Sequence, residues 1–214
     1  MKGYFITFEG TDGSGKTSVI RQVQSHFEAQ GYPVLVTREP GGIRISEKIR
    51  EILLGKEYPE MDARTEALLF AASRRQHLIE KIKPALERGM MVLCDRYVDS
   101  SLVYQGIARN LGIEEVWNIN AFAIENFLPE LTILVDVKPE IALARIYQNE
   151  NREVNRLDLE KRDFHDLTYH GYQSLLQRFP KRIKAVDGDD TIENVSRQAI
   201  QLIEGLIHRM DELQ

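Results

Sequence analysis

The sequence predicts an α/β fold of three layers, a five-stranded parallel sheet flanked by helices on both faces. Five short apolar runs rich in β-forming residues alternate with stretches whose apolar residues recur at helical spacing. The first run passes through a glycine-rich turn directly into the first helical stretch. No internal repeat, low-complexity tract or linker divides the 214 residues, which therefore read as one domain, 1–214.

Tyr4 to Phe8 is the first strand, apolar and β-prone. Gly10-Thr11-Asp12-Gly13-Ser14-Gly15-Lys16-Thr17 follows and fits G-x-x-x-x-G-K-[ST], the phosphate-binding loop of P-loop NTPase-type folds. Val19, Ile20, Val23 and Phe27 place a helix over 15–29, broken at Gly31-Tyr32-Pro33. Strand two is 34–37 and runs into Arg38-Glu39-Pro40-Gly41-Gly42, the composition of a ligand loop. Ile45, Ile49, Ile52 and Leu53 mark a helix, and 55–62 a loop. A long helix is expected from 63 to 88, with Pro84 placed to kink it and Gly89 to stop it. Strand three is 90–94. Helices follow at 99–110 and 113–127, the second stopped by Pro129. Strand four is 131–137, and Pro139 opens a helix to about 147. Residues 148–156, QNENREVNR, have no apolar face and read as a mobile lid. Helix 158–178, a weak strand at 182–187 and an amphipathic helix from Ile192 to Leu206 complete the chain.

Bulk composition excludes several classes. Hydrophobic content of 43% and charged content of 29% describe an ordinary globule. A net charge of −5 argues against a general nucleic-acid binder. The lone Cys94 allows no intrachain disulfide and reads as a small core residue. No apolar run approaches a membrane span, and residues 1–8 lack the features of a secretion signal, so the cytoplasm is the expected location and no membrane partner is expected. The five histidines have no metal-ligand spacing and read as surface or packing residues.

The phosphate loop has a physical rationale. Backbone N–H groups must converge on a polyphosphate, and side chains at Gly10, Gly13 and Gly15 would block that approach. The helix N-terminus, opening through Thr17 and Ser18, adds unpaired donors and the positive end of its dipole. Lys16 supplies a point charge, and the Thr17 hydroxyl can ligate Mg²⁺. Parallel strands bring the loops at 38–42, 95–97 and 136–138 to the phosphate-loop end of the sheet. That gathers Arg38, Glu39, Asp95, Arg96 and Asp136 there. Extra arginines suggest a second anionic group, and the acids suggest Mg²⁺ held through water. No N-K-x-D base-recognition stretch of a switch GTPase is present. A polar excursion carrying Arg145, Arg152 and Arg156 suits phosphoryl transfer, which needs water excluded and charge stabilised.

FEGTDGSGKTS, TREPGG, LLFAASRRQH, DRYVDSSLVYQG and NRLDLE, in this order and spacing, resemble the thymidylate kinase family. The resemblance spans essentially the whole chain. It implies transfer of the γ-phosphoryl group of ATP to dTMP with Mg²⁺ for dTTP synthesis, by a homodimer formed through long helices such as 63–88. It implies that Asp12 binds the acceptor's 3′-hydroxyl and that Arg38, Arg50 and Arg96 surround its phosphate. Phe70 would stack on thymine and Arg74 reach O4. Ser101 and Gln105 would contact the base, and Tyr104 the sugar. Glu9, Glu39 and Pro40 would lie near the acceptor. Asp95 would attend Mg²⁺ and the phosphates, with Lys16, Arg96 and the lid arginines acting in catalysis. Arg145 and the segment near Asp187-Gly188 would pack about adenine. Taken alone, Phe70 reads as core, Arg50 as a solvated helix charge and Asp12 as a helix-capping carboxylate. Some relatives carry an arginine inside the phosphate loop, where this chain has Gly13. The lid must then supply the charge, with Arg152 first and Arg156 second. The alternatives are another P-loop nucleoside monophosphate or deoxynucleoside kinase, or a nucleotide-binding switch without turnover.

Overall fold

The computed structural model describes residues 3–148 and 155–212. Arg152 and most of the expected lid at 148–156 lie outside the described residues.

The five strands β1 (Tyr4–Glu9), β2 (Val34–Arg38), β3 (Met91–Asp95), β4 (Leu131–Asp136) and β5 (Ile183–Asp187) form one parallel sheet in the order β2-β3-β1-β4-β5. The register pairs Phe8 with Asp95, Arg38 with Asp95 and Asp136 with Asp187. The expected loops therefore do share the sheet end carrying the phosphate loop.

Side chains of β1 alternate between two cores. Tyr4, Ile6 and Phe8 join Val19, Val23 and Phe27 of α1 (Lys16–Ala29) and Ala199 and Ile203 of α9 (Ile192–Asp211). Phe5 faces the other way, against Leu78, Ile82, Tyr97 and Ile124. A third cluster on that second face joins Leu102, Leu134, Tyr172 and Ile183. Every β1 side chain is buried, as expected of a central parallel strand.

The helices differ from the sequence expectation mainly where backbone geometry breaks them. The long helix is α3 (Ala63–His77), a π-helical segment (Leu78–Ile82) and α4 (Lys83–Glu87). Pro84 cannot donate to the preceding turn and its ring crowds the carbonyl four residues back, so a wider turn lies just before it rather than a simple kink. The stretch expected as helix 99–110 is α5 (Val98–Ser101) and a second π-helical segment (Leu102–Ala108). α6 (Ile113–Ile124) ends earlier than expected, because Glu125 and Asn126 adopt positive φ well before Pro129. α2 (Arg44–Leu54) and α7 (Pro139–Gln148) match closely. Asn155 caps a short 3₁₀ turn (Arg156–Leu159) ahead of α8 (Arg162–Arg178), where one helix was expected.

Candidate active site

The loop after β1 has the geometry its glycines permit. Gly10, Gly13 and Gly15 have φ of 136°, 81° and 93°, a region costly for side-chain-bearing residues. A Cβ on Gly13 would also run into the Ala142 carbonyl of α7. Gly13 is therefore closed to an arginine unless α7 moves.

Lys16 Nζ donates to the Gly10 and Thr11 carbonyls, each at 3.0 Å, and lies 3.4 Å from Ser14 Oγ. Burial, and then Arg96, depress its pKa to about 8, against the pull of Asp95, Asp12 and Glu9. Thr17 Oγ1 donates to Asp95 Oδ2 at 3.1 Å. A hydroxyl and a carboxylate side by side are hard oxygen donors suited to Mg²⁺. Among the described residues no group of three or more His, Cys, Asp or Glu could hold a metal. The pair would thus hold the ion only together with phosphate and water oxygens. At the far side of the loop, Arg145 Nη1 donates to the Gly188 carbonyl at 3.0 Å, joining the two segments expected about adenine.

Beside the loop lies a cavity of about 550 Å³, its mouth included. Asp12 of the phosphate loop is part of its wall, as are Glu39, Pro40, Arg50, Phe70, Arg74, Arg96, Ser101, Tyr104 and Gln105. Arg38 is not. It pairs with Glu47 at 2.9 Å and lines a separate depression with Thr17 and Asp95. Leu54, Ser100, Asn155 and Leu157 complete the cavity and were missed from sequence. Asn155 and Leu157 belong to NRLDLE, so that motif held the signal.

One end of the cavity is built around Arg96, whose φ of 70° is unusual outside glycine. Its guanidinium donates to Asp12 Oδ1 and Tyr172 OH, each at 3.0 Å, to Ser100 Oγ at 3.1 Å and to Tyr104 OH at 3.3 Å. Burial opposes its charge, but Tyr104, Asp12, Tyr172 and Glu9 outweigh that and hold it a cation. Beneath it, Glu9 is buried and accepts from the Tyr97 and Ser100 amides, Ser100 Oγ and Tyr172 OH, at 2.6–3.2 Å. Burial and Asp99 push the Glu9 carboxyl up, against Arg96 and those bonds. Glu9 thus pins the chain entering α5. Burial likewise pushes the Tyr104 phenol well up, so it remains a donor.

The other end is carried by α3. Asp62 caps it, accepting from the Arg64 and Thr65 amides at 2.9 and 3.1 Å. Glu66, Phe70 and Arg74 then recur every four residues and share one face. Arg74, 2% exposed, donates from Nε to Glu39 at 2.7 Å, from Nη1 to Ser101 Oγ at 2.9 Å and to Asn120 Oδ1, and from Nη2 to the Tyr97 carbonyl at 2.9 Å. Its guanidinium also sits 5.5 Å from the Tyr97 ring centroid. Glu39 takes a second bond from His77 Nδ1 at 3.0 Å, and the far ring nitrogen of His77 meets Thr37 Oγ1 at 2.7 Å. His77, expected as a packing residue, is thus part of the wall's support.

Arg50 Nη1 donates to the Pro40 carbonyl at 3.0 Å. Arg156 donates to the Leu53 carbonyl at 3.1 Å and to Glu66 at 2.5 Å. The structure therefore ties Arg156 to α2 and α3, not to a group of the phosphate loop. Asp136 is likewise engaged, by Gln173 at 2.8 Å. Cys94 is buried and donates its thiol to the Arg96 carbonyl.

Known proteins resemble this chain both in sequence and in fold. The family model described as Thymidylate kinase matches residues 8–199. The chain is 55% identical over 203 residues to a thymidylate kinase of Geobacillus thermodenitrificans, covering 95% of this chain and 90% of that one. It is 56% identical over 204 residues to one of Bacillus cytotoxicus, covering 95% and 98%. The crystal structure of a thymidylate kinase from Ehrlichia chaffeensis superposes with a TM-score of 0.77 at 28% identity, covering 95% of this chain and all of that one. Sequence and fold agree, and the chain belongs to the thymidylate kinase family.

Proposed function

We propose the residues by which this family member transfers the γ-phosphoryl group of ATP to dTMP. The observation that carries the reading is that Asp12 belongs to both the phosphate loop and the cavity wall. Donor and acceptor sites therefore abut, as in-line transfer requires.

In this reading the amides of the loop through Ser18 cradle the ATP phosphates. Lys16 exchanges its loop carbonyls for phosphate oxygens, and Arg145 with the Gly188 strand end flanks the adenine. Thr17 and Asp95 would contribute oxygens to hold Mg²⁺, which would neutralise phosphate charge when bound. The acceptor lies with its phosphate towards Arg96 and Arg50, its sugar at Asp12 and Tyr104, and its base at Phe70, Arg74, Ser101 and Gln105. Glu39 orients Arg74. Arg38 is half exposed, so exchanging Glu47 for a phosphate costs about 1 kcal/mol or less. Arg152 supplies the transition-state charge. Steady-state rates with ATP and dTMP, dUMP, dCMP or dGMP offered singly test the assignment. A strong preference for dTMP is expected, and preference for a purine acceptor would refute it. Undetectable ADP release with every monophosphate would favour a non-catalytic switch.

Lys16 makes ATP affinity pH-dependent. A value near 8 leaves the free amine increasingly neutral above that pH, and bound phosphates must restore the proton. Affinity should fall towards tenfold per unit above about pH 8, with proton uptake in calorimetry. Constant affinity and no proton uptake up to about pH 9.5 would show that the amine stays charged. For folding the sign follows from the same shift. The folded value lies below the ordinary 10.5, so burying the charge costs stability below pH 8. That cost is relieved as pH rises from 8 towards 10.5.

A homodimer is supported by apolar side chains left open on neighbouring helices. Ile45 on α2, Leu68 on α3, Ile79 of the π-helical segment and Phe122 on α6 are exposed, Phe122 by 90%. Such a patch is costly unless covered, and a two-fold copy covers it. Phe122→Glu should turn the dimer into a monomer in light scattering. A wild type that is monomeric at micromolar concentration would sink the reading. One kinase domain is supported by a single sheet against which elements from both ends of the chain are buried. No described helix is long and apolar enough to cross a membrane. A cytoplasmic enzyme without nucleic-acid partners is the reading this and the net charge of −5 support.

A further inference from the structure

Glu66 lies on α3 one turn before Phe70 and is 1% exposed. Its Oε1 accepts from Gln105 Nε2 at 2.9 Å and Arg109 Nε at 3.3 Å. Its Oε2 accepts from Arg109 Nη2 at 3.3 Å and Arg156 Nη2 at 2.5 Å. A carboxylate held between two guanidinium groups is an acceptor only. It can therefore take just the NH₂ end of the Gln105 amide. The carbonyl end, Oε1, must turn away from it. Gln105 is itself in the cavity wall beside Phe70 and Arg74.

We propose that Glu66 is a positioning residue for pyrimidine selection, holding the Gln105 amide so that its carbonyl faces the acceptor's base. The inference rests on the cavity being the dTMP site. An amide free to rotate half a turn offers either a donor or an acceptor, and so discriminates poorly between bases. Fixed by Glu66, Gln105 offers an acceptor to the ring N3–H of thymine or uracil. Arg74, whose other four N–H groups go to Glu39, Ser101, Asn120 and the Tyr97 carbonyl, offers its remaining Nη2 N–H to their O4. Cytosine presents the inverse edge, a bare N3 and an amino group at position 4, so both contacts fail together. Glu66 itself is not among the residues that line the cavity, so it acts through Gln105. Of the two arginines that donate to Glu66, Arg156 comes from the segment whose neighbours Asn155 and Leu157 wall the same cavity.

The test compares kcat/KM for dTMP and dCMP in the wild type, Glu66→Gln and Glu66→Asp. Glu66→Asp keeps the charge facing Arg109 and Arg156 but withdraws it by one methylene. It is the arm that remains informative if Glu66→Gln fails to fold. In both variants the dTMP-to-dCMP ratio should fall by about tenfold or more, chiefly through KM. In a Gln105→Leu background the same Glu66 changes should move the ratio by less than about twofold, because the residue acts through Gln105. An unchanged ratio in the folded variants overturns the proposal. So does an equal loss for both acceptors, or a full change in ratio in the Gln105→Leu background. A wild type that does not prefer dTMP to dCMP overturns instead the reading of the cavity.

Discussion

Arg152→Ala should lower kcat for dTMP phosphorylation by about 10³-fold or more, while Arg156→Ala should act mainly on stability. The charge that develops on a transferred phosphoryl group must be met by a cation, and an arginine in that role is worth roughly 10³–10⁵ in turnover. The phosphate loop offers no place for it. Gly13 has no side chain, its φ of 81° disfavours one, and a Cβ there would strike the Ala142 carbonyl. Arg96 is bound to Asp12 at 3.0 Å, at the acceptor end. Arg156, the second candidate of the sequence stretch, serves Glu66 and the Leu53 carbonyl. Its removal leaves a buried carboxylate with one guanidinium fewer, and the thermal midpoint should drop. Single-turnover rates of both variants with saturating ATP and dTMP separate the two effects. A loss below about tenfold in Arg152→Ala would refute its role. A loss of the 10³ class in Arg156→Ala would transfer the role to it.

Arg74→Met should cost both stability and acceptor recognition. The guanidinium is 2% exposed and donates to Glu39, Ser101, Asn120 and the Tyr97 carbonyl. Methionine fills much of the volume and satisfies none of these groups. Glu39, also 2% exposed, would keep His77 as its remaining side-chain partner among the described residues. Breaking a buried ion pair from one side costs about 3–5 kcal/mol. At roughly 2–4 °C per kcal/mol for a chain of this size, the thermal midpoint should fall by about 10 °C. KM for dTMP should rise about 10–100-fold from the lost donors, with a smaller change in KM for ATP. Adding Glu39→Gln should restore part of the midpoint and none of the recognition, because it removes the stranded charge but not the missing fork. An Arg74→Met variant with an unchanged midpoint and unchanged KM would show that the fork is dispensable.

The strands, the phosphate loop and most helices were legible because each is written in local sequence. A short β-prone run from Tyr4 to Phe8 announces β1, glycines at fixed offsets announce the loop, and apolar spacing announces α1, α2 and α9. The breaks were not legible. Pro84 marks a break in the long helix, but a kink and a widened turn both accommodate its ring and missing N–H, so the π turn was not legible. The positive φ of Glu125 and Asn126 likewise follows from where α6 must release the chain.

Function divided along the same line. Motifs named ten of the fourteen residues that line the cavity. Charge partnerships were invisible, because they join residues far apart in the chain. Arg74 meets Asn120, Glu9 meets Tyr172, and Glu66 meets Arg156 across 90 positions. These contacts decide which charged groups are held and which remain for substrate. That is why Arg38 and Arg156, equal to their neighbours on paper, lie apart from the groups they were expected to join. Sequence by itself determined the fold class, the family and ten of the side chains that line the cavity. Tertiary structure decided their orientation and protonation, since burial and pairing set those energies and neither exists until distant segments meet.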